Sequence, residues 1–84
     1  MHIIVETFLN PGERSNAVYR VRPIPGQVYN PSMRVQCSRA MRSAEPLGTK
    51  FRLWVELVTS DKMDPFLRHK QSDHWEVVER PKAG

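Results

Sequence analysis

Shortages narrow the reading of this chain before its motifs do. A single cysteine, Cys37, stands among 84 residues. That excludes an intrachain disulfide, and one thiol cannot by itself supply a metal site of the zinc-finger kind. Gly12, Gly26 and Gly48 are isolated and none opens a glycine motif, so there is no loop to cradle a phosphate. The apolar run in "MHIIVETFL" breaks at Glu6 and carries no basic leader, so neither a spanning helix nor a signal peptide is expected, and no membrane partner. Asn30-Pro31-Ser32 has proline inside its sequon and is closed to glycosylation. Internal repeats and low-complexity tracts are missing as well.

What is present describes one small domain over residues 1–84, with an ordered core over 1–80 and a frayed tail at 81–84. A domain of this size buries only about 60 to 65% of its unfolded surface, so the core must be thin. Hydrophobic residues make up 39% and charged residues 26%, the mixture of an ordinary globule rather than a disordered chain. Seven prolines argue against long helices. A cytoplasmic location fits the single free thiol. The net charge is +4. Its distribution says more, because residues 14–52 hold eight basic residues against Glu45 alone. This asymmetry permits an anionic partner without requiring one.

Along the chain, "HIIVETFL" reads as a strand, "NPGERSN" as a turn, and "AVYRVRPI" as a second strand that closes a hairpin. "PIPGQVYNPS" has three prolines and reads as an exposed connection. "MRVQC" alternates Met33, Val35 and Cys37 with Arg34 and Gln36, a third strand. Ser38 is a good N-cap for a short helix over 39–45, stopped by Pro46 and Gly48. A fourth strand places Phe51, Leu53, Val55 and Leu57 on one face and Arg52, Trp54, Glu56 and Val58 on the other. "SDKMDPFLRHKQSD" reads as a polar loop anchored by Phe66 and Leu67, and "HWEVVER" as the last strand.

The order strand, strand, strand, helix, strand, strand predicts a mainly β fold of the α+β kind. It resembles the five-stranded antiparallel barrel of the OB-fold. The alternative is an open, curved antiparallel sheet with the helix packed on one face. The strings "PIPGQ", "CSRAMR", "PLGTKFRL" and "WEVV" also resemble a group of small bacterial proteins of unassigned function, over about residues 20 to 78. That resemblance implies a compact stand-alone domain and transfers no activity.

Catalytic residues are not evident. Cys37 is the only thiol nucleophile, with His2, His69 and His74 as candidate bases, but its inward position makes it a small core residue. His69, Asp73 and His74 lack the spacing of a metal site and read as solvated. Asp61 and Asp64 near Lys62 could suggest a carboxylate pair, yet "SDKMDP" is more simply a turn. No metal or other cofactor is implied.

The remaining signal is collective. Arg20 and Arg22 on the second strand, Arg34 and Gln36 on the third, and Lys50, Arg52 and Trp54 on or beside the fourth are expected on the sheet's outward side. Basic groups beside an aromatic ring suit a phosphate backbone with stackable bases. The sequence therefore describes a non-catalytic binding module, foremost a protein-interaction or self-associating domain. Trp54 with Val58, or Ile4 with Phe8, would supply the apolar contact of a homo-oligomer. Binding of single-stranded nucleic acid or another polyanion through the basic face is the alternative. A small enzyme using Cys37 or the His and Asp residues of the last loop is the third reading.

Overall fold

The computed structural model describes residues 1–9, 19–70 and 74–81. The expected first turn, the start of the second strand, Asp73 and residues 82–84 lie outside them. Strand β1 (His2–Phe8) buries Ile3, Val5 and Thr7, as alternate positions on a half-buried strand should. Strand β2 (Arg20–Pro23) runs antiparallel beside it, with Arg22 opposite Glu6 and Val21 opposite Thr7. Pro23 at its end and Pro25 beyond it have no N–H to give a ladder. The Gln27 side chain replaces those bonds: its Oε1 accepts from the Ile4 N–H at 2.7 Å and its Nε2 donates to the Ile4 carbonyl at 2.7 Å.

Strand β3 (Val35–Gln36) is short and leads to helix α1 (Arg39–Ser43). Ser38 caps the helix, its Oγ accepting from the Met41 N–H at 3.1 Å, and Met41 is fully buried against the sheets. The helix is shorter than the expected 39–45. Gly48, at a φ of 92° that favours glycine, turns the chain into β4 (Lys50–Trp54) on the far side of β1.

At Val55 the chain leaves one sheet for another and continues as β5 (Glu56–Ser60). A tight turn then joins it to β6 (Met63–Arg68), and β7 (Trp75–Glu79) returns to pair with β4. Two sheets result, one ordered β2-β1-β4-β7 and the other β3-β6-β5. All pairings are antiparallel except β3 with β6. Ile3, Val5, Val21, Met41, Phe51, Leu53, Val55 and Leu67 form the core. Each such side chain contributes about 1.5 to 3 kcal/mol of apolar burial.

The protein is thus mainly β with one short helix, as the alternation predicts. The expected closed barrel and five-stranded order are not found. Among the described residues no ladder joins β2 to β3, so the two sheets stay open there. A single open sheet is not found either. The largest departure is the stretch expected as a polar loop, which contains β6 at the centre of the second sheet. Pro65 is tolerated because the β5–β6 register shifts beside it, between Val58 and Ser60, while β3 reaches only as far as Leu67 and Arg68. Its missing N–H has no ladder to break.

His69 also departs from the solvated expectation, being only 4% exposed. The Trp54 carbonyl can only accept, so the bond of 2.8 Å between them makes His69 Nδ1 the donor. His69 Nε2 is buried without a partner. This bond, together with the Val55 N–H donating to the Met1 carbonyl at 2.8 Å, fixes the bend where β4 becomes β5.

Candidate functional site

The open seam between β2 and β3 is a cleft of about 410 Å³. Arg20 and Arg22 line it from β2, Arg34 and Gln36 from β3 and its approach, and Arg42 from the helix, with Cys37 at its inner side. Four arginines line it, and no carboxylate does among the described residues. Strand alternation places the first four of these side chains, and the Ser38 cap sets the turn that delivers Arg42.

Their ties differ. Arg22 Nε donates to Glu6 Oε1 at 3.0 Å, and its guanidinium lies 4.6 Å from the Phe8 ring centre. Arg34 stands 5.3 Å from the Phe66 ring centre and has no carboxylate partner among the described residues. Arg42 has none either, and its Nε is buried without a hydrogen bond. A buried guanidinium nitrogen left unpaired is costly, and an anion in the cleft would relieve it.

The other expected residues lie elsewhere. Lys50, Arg52 and Trp54 are on β4, separated from β2 by β1. Lys50 Nζ donates to Glu79 at 2.8 Å, and Arg52 pairs with Glu76 at 2.6 Å. The Glu79 carboxylate raises the Lys50 pKa above its usual range, and Lys50 in turn lowers that of Glu79. Trp54 is 48% exposed, with its ring edge-on to His2 at 5.1 Å. The single basic face expected from alternation is therefore divided. Glu76 and Glu79 neutralise its β4 part, while Arg20, Arg34, Arg42 and the Glu6-paired Arg22 line the seam.

Sequence reasoning left out Arg42, Phe8 and Phe66 as members of this site. Arg42 stands in the "CSRAMR" string, but no strand alternation marks a helical residue. Phe66 was hidden with β6 inside the supposed loop.

The catalytic candidates gain little. Cys37 packs against the core, and burial pushes its thiol up to about 11, with nearby Arg42 opposing the shift. The β3–β6 register sets His69 one step beyond Gln36 and Arg68, beside Cys37, but its Nδ1 is committed to Trp54 and no hydrogen bond joins the pair. His74 is exposed. Asp61 lies in the β5–β6 turn, where Ser60 Oγ accepts from the Lys62 N–H at 3.2 Å, while Asp64 belongs to β6. Among the described residues no group of three or more His, Cys, Asp or Glu is placed to hold a metal ion. No helix among them is long and apolar enough to cross a membrane.

Comparison of the chain with protein-family models, with curated proteins and with solved structures returns no match.

Proposed function

We propose that the protein is a binding module for single-stranded nucleic acid, with the phosphates seated in the β2–β3 cleft. The observation that carries this reading is the convergence of Arg20, Arg22, Arg34 and Arg42 on one cleft with no carboxylate lining it among the described residues. Aromatic rings flank it, Phe8 beside Arg22 and Phe66 beside Arg34, so charge and a flat apolar surface occur together. With Arg22 already paired to Glu6, neutralisation of about three phosphates on a single strand gives a salt slope of roughly −2.1, or a loss of roughly twentyfold between about 50 and 200 mM salt. Fluorescence anisotropy with a labelled oligonucleotide measures it. Arg42→Ala is expected to weaken binding and shrink the slope by nearly one unit, while Arg52→Ala, removing a cation already paired with Glu76, changes little. Equal losses from the two variants, or no binding at micromolar protein in low salt, would remove the cleft from the function.

Self-association is the second reading. It is favoured by the outer edge of β5, which pairs with no strand among the described residues and carries Leu57 at 47% exposure, and by the exposed Trp54 on β4.

A further inference from the structure

The arginine cleft continues into a second hollow. A pocket of about 420 Å³ adjoins it, with Ser32, Met33 and Arg34 lining both. Its lining changes character. Phe66, Met63 and Pro65 supply apolar surface, and Asn30 and Asp64 supply polar groups. Asp64 and Phe66 line it from either side of Pro65, where the β5–β6 register shifts.

Three features define what such a hollow takes. Arg34 lies over the Phe66 ring, and an arginine plane backed by an aromatic ring is a surface on which a base stacks. The Asp64 carboxylate pairs with no cation among the described residues, although Arg34 lines the same pocket. A free carboxylate repels phosphate and accepts two hydrogen bonds side by side. Among the bases only guanine offers two adjacent donors, N1–H and the N2 amino group, on one edge. Asn30 is partly committed, its Oδ1 accepting from the Ser32 N–H at 2.9 Å, which leaves its amide N–H groups as donors.

We infer that the pocket bounded by Arg34, Asp64 and Phe66 is a base subsite selecting guanine, next to the phosphate cleft. This rests on the nucleic-acid reading of that cleft. It gives the site a sequence preference and makes Arg34 backed by Phe66, rather than Trp54, the stacking surface.

The test uses labelled pyrimidine oligonucleotides carrying one central guanine, hypoxanthine or thymine. Hypoxanthine keeps N1–H and lacks the 2-amino group. The guanine oligonucleotide is expected to bind on the order of tenfold more tightly than the hypoxanthine one. Asp64→Asn should erase that difference while leaving the thymine oligonucleotide unaffected or slightly tighter. Phe66→Leu should weaken guanine binding on the order of tenfold with the salt slope unchanged. Asp64 is exposed, so its variant keeps the fold, and urea midpoints verify this for both. Equal binding of all three oligonucleotides, still salt-dependent and still weakened in Arg42→Ala, overturns the base subsite and leaves the cleft reading in place. Absence of binding by every oligonucleotide overturns both.

Discussion

Cys37 shows at the residue scale how position decides chemistry. Its alternation with Val35 puts it against the core, and that burial favours the neutral thiol. A thiol pushed up to about 11 is protonated at neutral pH and a poor nucleophile. It should react slowly with a water-soluble thiol reagent until the protein is denatured. The linkage has a definite sign. The unfolded chain releases the thiol proton near pH 9, whereas the folded chain keeps it to about 11. Stability from this residue is therefore complete below about pH 9 and falls as the pH rises toward 11, by on the order of 2 to 3 kcal/mol. Urea midpoints at both ends of that window should fall more steeply in the wild type than in Cys37→Ala. Parallel declines would show that the thiol is not desolvated in the folded protein.

Among the elements, legibility followed how regularly a strand alternates buried with exposed positions. β1 and β4 each alternate one buried face with one wet face, and their period stands in the sequence. β6 could not be read that way, since its Met63, Asp64 and Pro65 are all exposed and only Leu67 is fully buried. Nor does the period of "FRLWVELV" reveal that Val55 is where the chain changes sheets. The buried series Phe51, Leu53, Val55 simply ends, and Leu57 emerges half exposed. His69 holds this bend from just beyond β6, a strand that alternation did not mark. Replacing it by leucine keeps the bulk and removes the donor to the Trp54 carbonyl, which should cost about 1 to 3 kcal/mol in urea unfolding. His74→Ala, at an exposed position, should stay within about 0.5 kcal/mol of the wild type. An unchanged His69→Leu midpoint would mean that the Met1–Val55 bonds fix the bend alone.

For the whole molecule, the charge asymmetry of the sequence becomes a division of labour between two surfaces. The middle of the chain supplies the cations of both; Glu6 on β1 pairs with Arg22, and Glu76 and Glu79 on β7 pair with Arg52 and Lys50. Cross-strand partners so far apart in the chain cannot be read from local spacing, which is why a uniform basic face was the expectation. The consequence for function turns on Trp54. It stands on β4, two strands away from β2, and lines neither the cleft nor the adjoining pocket. If the seam is the working site, a saturating oligonucleotide should leave Trp54 as accessible to acrylamide as in the free protein, and Trp54→Ala should bind with unchanged affinity. The other tryptophan, Trp75, is half-buried and edge-on to Phe51 at 5.4 Å, so the accessible signal belongs mainly to Trp54. Light scattering should then give the mass of one 9.8 kDa chain as concentration is raised. Self-association through the β5 edge makes the opposite forecast: mass doubles with concentration, Trp54 becomes shielded, and Trp54→Ala returns the protein to a single chain. Loss of oligonucleotide binding in Trp54→Ala would contradict the seam directly, because it would place the stacking surface back on the glutamate-neutralised sheet.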